Sequence, residues 1–61
     1  ARRSIYTTVD IHKGAKISPE MLKLVRHAYG LEPRDLNEVV GMTVTRDLRK
    51  DMPLHREDIC R

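Results

Sequence analysis

Two stretches of the chain alternate apolar and polar side chains with a period of two. Ser4 to Val9 sets Ile5, Thr7 and Val9 against Tyr6 and Thr8, and Met42 to Thr45 sets Met42 and Val44 against Thr43 and Thr45. That period predicts strands, because successive side chains of an extended chain point to opposite faces. Lys23 to Arg26 also reads as extended, with Leu22 and Leu24 on the side opposite Lys23 and Val25. Ser18 is a good N-cap and Pro19 suits a first helical position, where its missing N–H costs nothing, so a short helical turn is expected there. Further on, Pro33 opens a second helix whose stripe is Leu36, Val39 and Val40 at i, i+3, i+4, and Gly41 closes it as a left-handed cap. At about two turns such a helix is marginal alone, so its apolar face must pack on the strands.

The chain carries an internal repeat at an offset of 37 residues. Asp10-Ile11-His12-Lys13-Gly14-Ala15-Lys16-Ile17-Ser18-Pro19-Glu20-Met21-Leu22 aligns without gaps on Asp47-Leu48-Arg49-Lys50-Asp51-Met52-Pro53-Leu54-His55-Arg56-Glu57-Asp58-Ile59. Ile11/Leu48, Ile17/Leu54 and Leu22/Ile59 are the aliphatic matches. A turn residue stands at Gly14/Asp51, where glycine takes positive φ freely and aspartate can bond its own backbone. Each copy follows one of the alternating strands. The fold class expected is mostly β with short helical and 3-10 turns, in two pseudo-twofold halves.

Length limits what this fold can do. Sixty-one residues form one small domain, residues 1–61, too short for a two-lobed enzyme or a barrel of strand-helix units. With no Phe or Trp and two Tyr, the aliphatic residues must supply the core. The single cysteine, Cys60, offers no disulfide or cysteine-rich metal site and fits a reducing, cytoplasmic compartment. Twelve Lys and Arg against nine Asp and Glu leave a net charge of +3, with the two signs interleaved. Neither a concentrated basic surface nor an aromatic platform argues for nucleic acid. No apolar run approaches the roughly 20 residues that span a bilayer. A start at Ala1 instead of Met is expected of a piece of a longer protein.

Few side chains suggest chemistry of their own. His12, His27 and His55 lack metal-ligand spacing and read as exposed loop residues, with no metal expected. Asp10/Asp47 and Glu20/Glu57 could supply acid-base pairs, but their equivalent places in the repeat point to turn or cap roles. Cys60 lacks a base, so packing or truncation is the expectation. Arg46, Arg49 and Lys50 form a solvated face, or alternatively dock on an acidic protein surface. Tyr29-Gly30 reads as a turn with a half-buried ring. Arg2-Arg3, as a basic pair at a chain start, reads ordinarily as a solvated tail.

Ala1-Arg2-Arg3-Ser4-Ile5, Asp10-Ile11-His12-Lys13-Gly14 with Ile17 and Pro19-Glu20-Met21-Leu22, Arg26 to Pro33, Val39-Val40-Gly41-Met42 and Asp47 to Leu54 occur in a characteristic order. In that order the chain resembles the SAF or antifreeze-like domain, a β-clip or pretzel fold, at the C-terminus of bacterial sialic acid synthases. It departs at His27, where the family more often has proline. The resemblance implies an accessory domain without catalytic residues of its own, belonging to a synthase with an N-terminal TIM barrel. The parent would condense phosphoenolpyruvate with an N-acyl amino sugar such as N-acetylmannosamine, in a domain-swapped homodimer where this domain caps the partner's barrel. A divalent metal, Mn or Mg, would sit in that barrel, and no cofactor in this domain. The resemblance also implies an arginine against the sugar's N-acyl group, with Arg3 the first choice and Arg2 the second. Guanidinium donors suit carbonyl and hydroxyl oxygens. Other implied readings are a SAF module of a sugar-acid dehydratase or of pilus or flagellar assembly, and an ice-binding protein, against which the 34% charged composition argues.

Overall fold

A computed structural model describes residues 2–61. Strand β1 (Ser4–Thr7) is followed by a 3-10 turn at Pro19–Met21 and by β2 (Leu22–Val25). A second 3-10 turn, Pro33–Asp35, runs into the single α-helical turn α1 (Leu36–Val39). Then come β3 (Thr43–Val44), a 3-10 turn at Arg56–Asp58 and β4 (Ile59–Cys60). The strands make two antiparallel ribbons. In one, Ser4 faces Val25 and Thr7 faces Leu22; in the other, Thr43 faces Cys60 and Val44 faces Ile59.

The repeat is written into the hydrogen bonds. Ile11 and Leu48, equivalent residues of the two copies, exchange backbone bonds of 2.8 and 2.7 Å, so the pseudo-twofold axis passes between them. Around it, Lys13 N–H donates to Asp47 Oδ1 at 2.8 Å while Lys50 N–H donates to Asp10 Oδ1 at 2.7 Å. Thr8 Oγ1 donates to the Glu20 carbonyl and Thr45 Oγ1 to the Glu57 carbonyl, both at 2.7 Å. Thr8 N–H bonds the Met21 carbonyl and Thr45 N–H that of Asp58, both at 2.8 Å. Two independent segments would not reproduce the same partners at one offset.

The repeat also organises the core. Ile11, Ile17 and Leu22 are buried together with Leu48, Leu54 and Ile59, and Ile5, Val39 and Val44 complete the cluster. Each such side chain is worth roughly 1.5–3 kcal/mol when fully removed from water. α1 contributes Val39 at its centre and packs Leu36 and Val40 at its margin, as its stripe predicts. Gly41 follows with φ +93°, and the Gly14 turn has φ +90°. Asp51 adopts φ +64°, so the aspartate turn shares the left-handed conformation of its glycine counterpart.

Several expectations are corrected. β1 ends at Thr7, and Val9, which the alternating pattern placed with Ile5 and Thr7, is left 44% exposed. Leu24 is 41% exposed, although its rung partner Ile5 is fully buried. Ser18 holds the N-cap position, yet its hydroxyl makes no cap bond and, among the described residues, is buried without a hydrogen-bond partner. The short helix begins in 3-10 form, with a capping box in which Glu32 N–H donates to Asp35 Oδ2 at 3.1 Å.

Candidate functional site

The N-terminal end of β1 is fastened before its arginines begin. Ser4 is buried and its hydroxyl donates to the His27 carbonyl. Ile5 N–H donates to the Leu31 carbonyl at 2.8 Å, and Leu31 N–H to the Leu54 carbonyl at 2.8 Å. The segment from His27 to Leu31 is thereby laid between the halves. Gly30 permits this approach: a Cβ there would stand 2.8 Å from the Leu54 carbonyl oxygen and 3.0 Å from that of Ile5. The His27 ring lies between Tyr6 and Tyr29, with centroids 6.3 and 6.1 Å away. His27, where the family more often has proline, serves the loop through its carbonyl and its ring. Tyr29 is 70% exposed instead of half-buried; its ring stacks on that of His27, and its carbonyl is held by His55 Nε2 at 2.7 Å. A carbonyl only accepts, so Nε2 carries the proton.

On this anchored end the two arginines differ. Arg2 Nη2 lies 3.0 Å from Glu32 Oε2, and Glu32 Oε1 is taken by Arg34 Nη2 at 2.7 Å. Those guanidiniums, Arg2 first and Arg34 second, hold the Glu32 carboxyl below its usual range. Arg3 is exposed and, among the described residues, makes no ion pair or side-chain hydrogen bond. Arg26 is exposed and equally without a partner among them.

The other candidates resolve into structural parts. Asp10 and Asp47 accept backbone N–H groups of the opposite copy, which gives them the turn role expected, although the partner lies across the axis. Between them opens a depression of about 390 Å³ lined by Asp10, Ile11, His12, Asp47, Leu48 and Arg49. Glu20 and Glu57 are exposed within the 3-10 turns Pro19–Met21 and Arg56–Asp58. His12, His27 and His55 are exposed, and among the described residues no three His, Cys, Asp or Glu side chains gather as a metal site. Cys60 is an exposed thiol in β4. Arg46 is not a free member of a solvated face. Its Nε lies 2.9 Å from Oδ1 of buried Asp58, which also accepts His55 N–H at 2.9 Å.

The SAF domain family matches residues 2–59. The chain belongs to the SAF domain family. The SAF domain is 38% identical over 47 residues to a pseudaminic acid synthase of Campylobacter jejuni, covering 77% of this chain and 14% of that protein. It is 32% identical over 57 residues to the pseudaminic acid synthase of Helicobacter pylori, covering 93% and 17%. The SAF domain thus spans about one-sixth of the curated relatives it matches. Its fold superposes with a TM-score of 0.89 on the antifreeze-protein-like domain of human N-acetylneuraminic acid phosphate synthase, at 24% identity, covering 95% of this chain and 75% of that one. The spore coat polysaccharide biosynthesis protein spsE of Bacillus subtilis gives 0.84 at 28% identity, covering 97% of this chain and 18% of its own. The β-clip, antifreeze-like expectation is met. No helix of the described residues is long and apolar enough to cross a membrane.

Proposed function

We propose that this SAF domain is the accessory, non-catalytic part of a larger nonulosonic acid synthase with an N-terminal TIM barrel, and that it completes the acceptor-sugar site. The reaction is condensation of phosphoenolpyruvate with an N-acyl amino sugar, the divalent metal, Mn or Mg, being held in the barrel. In a domain-swapped homodimer the domain caps the partner subunit's barrel, excludes water from its mouth and sets a guanidinium against the sugar's N-acyl oxygen. The pseudaminic acid synthases among its relatives favour a product of that class.

The observation that carries this reading is the state of Arg3. It extends from the anchored end of β1, exposed and without a partner among the described residues, ready to donate to a ligand. Arg2, already bonded to Glu32, is the weaker candidate. In the full-length dimer, Arg3→Ala should lower kcat/KM for the amino sugar roughly 10- to 100-fold, the worth of one hydrogen bond to a charged group, with the KM for phosphoenolpyruvate nearly unchanged. Wild-type kinetics in that variant would remove Arg3 from the site.

A further inference from the structure

One loop is bonded at both ends to the two residues that follow Arg3. Buried Ser4 donates its hydroxyl to the His27 carbonyl, and Ile5 N–H donates to the Leu31 carbonyl at 2.8 Å. Between those bonds the chain carries Ala28, Tyr29 and Gly30. Gly30 passes so close to the Leu54 and Ile5 backbones that a Cβ would crowd both. Tyr29, one residue before it, is the most exposed large apolar side chain among the described residues.

An aromatic residue alone on a surface needs no special reason, but this one is held. Its ring stacks on that of His27, with 21° between the planes, and the His27 ring lies in turn beside Tyr6 of β1. Its carbonyl accepts from His55 Nε2. Ring and backbone are thus placed in advance, so a ligand that packs on this ring meets little further cost of ordering.

The face of an aromatic ring is electrically negative and attracts groups with a slight positive charge, among them the C–H bonds of a carbon that bears oxygen. A sugar carries such C–H groups between its hydroxyls. A guanidinium can serve the oxygens of that ligand, whereas its C–H surface needs an apolar contact; small-molecule sites combine the two. A carboxylate or phosphate gains nothing from the same negative face. We infer that Tyr29 is a stacking platform for the C–H face of the acceptor sugar. The inference rests on the proposed function for its ligand; Tyr29 is the residue added to the sugar site, and phosphoenolpyruvate is not bound by it.

The test is steady-state kinetics of the full-length dimer carrying Tyr29→Ala, Tyr29→Leu or Tyr29→Phe, each beside Arg3→Ala, with thermal melts of the same proteins. Tyr29→Ala and Tyr29→Leu should raise the amino-sugar KM about two- to tenfold, the worth of one aromatic contact. Their kcat and phosphoenolpyruvate KM should stay nearly unchanged, as expected when only uniform binding is lost. Tyr29→Phe keeps the ring and should stay within about twofold of wild type. Melting should be unaffected, because the side chain is exposed. A wild-type sugar KM in Tyr29→Ala, full rescue by leucine, a loss in Tyr29→Phe equal to that in Tyr29→Ala, or losses that follow the melting temperature would each overturn the platform. Arg3→Ala is read separately. A wild-type Tyr29→Ala beside an impaired Arg3→Ala removes the platform and leaves the guanidinium contact standing, and the reverse pattern removes Arg3 and leaves the platform.

Discussion

The two halves make the same turn in different ways. In the first, Gly14 takes φ +90° and the loop closes on itself, Ala15 N–H donating to the His12 carbonyl at 3.0 Å. In the second, the equivalent Met52 N–H and Arg49 carbonyl are bridged by the Thr7 hydroxyl, which accepts from the former at 3.0 Å and donates to the latter at 2.6 Å. The strand residue facing the Gly14 turn in the equivalent place is Val44, which has no hydroxyl to insert. A second difference lies at the 3-10 turns. Buried Asp58, paired with Arg46, corresponds to Met21, and Arg46 corresponds to exposed Val9. One offset therefore preserves the backbone while polar chemistry is exchanged for apolar chemistry at matched positions.

The comparison is broken most severely where the halves agree. Ile17 and Leu54 are equivalent and almost completely buried. Ile17→Ala and Leu54→Ala should each cost about 2–5 kcal/mol, comparable with the roughly 3–5 kcal/mol that a domain of this size commands. Urea unfolding should show both largely unfolded at 25 °C; one tolerant variant would mean that the halves do not share one core.

Replacing Thr7 by valine makes the second turn's surroundings resemble the first's and should cost about 1–3 kcal/mol, because the Met52 N–H and Arg49 carbonyl lose their bridge. A neutral thermal melt would show that the turn at Asp51 can close on its own backbone. Asp58→Met with Arg46→Val imports the Met21/Val9 pair. Each single change strands a partner, so the double variant should be more stable than the sum of the singles by about 0.5–3 kcal/mol. Additive losses would make the ion pair incidental.

The smallest effect is in acid. Hydrogen bonding from Lys23 first, with the Lys23 and Lys50 charges adding to it, holds the Asp51 carboxyl below its ordinary value, as the arginines do for Glu32. A carboxyl whose pKa is lower in the folded state binds fewer protons there. Its contribution is full above the unfolded pKa and disappears as pH falls through the folded one. Stability should decline below about pH 4, and Lys23→Gln should move the Asp51 carboxyl titration upward by NMR. An unmoved titration would deny the pairing.

Much of this was readable before any coordinates. Ile11/Leu48, Ile17/Leu54 and Leu22/Ile59, matched by the repeat, are all core residues, because a duplicated fold must bury equivalent positions. Gly14 and Asp51 declared their turns through backbone preference. What stayed hidden depended on distant partners. Nothing local in Thr7 announces a bond to residue 49, nor does the order of charges show Arg46 leaving its neighbours for Asp58. Val9 continued an alternating pattern, but the strand stops at Thr7. For the site, the resemblance singled out Arg2-Arg3, but the choice between them turns on Glu32, thirty residues away from Arg2.

The most direct measurement of the central claim is steady-state kinetics of Arg3→Ala beside Arg2→Ala in the full-length dimer, with amino sugar and phosphoenolpyruvate varied in turn. The account predicts a loss in kcat/KM for the sugar of at least about tenfold in Arg3→Ala, a much smaller one in Arg2→Ala, and a phosphoenolpyruvate KM close to wild type in both. Equal sugar kinetics in Arg3→Ala and the wild type would contradict it.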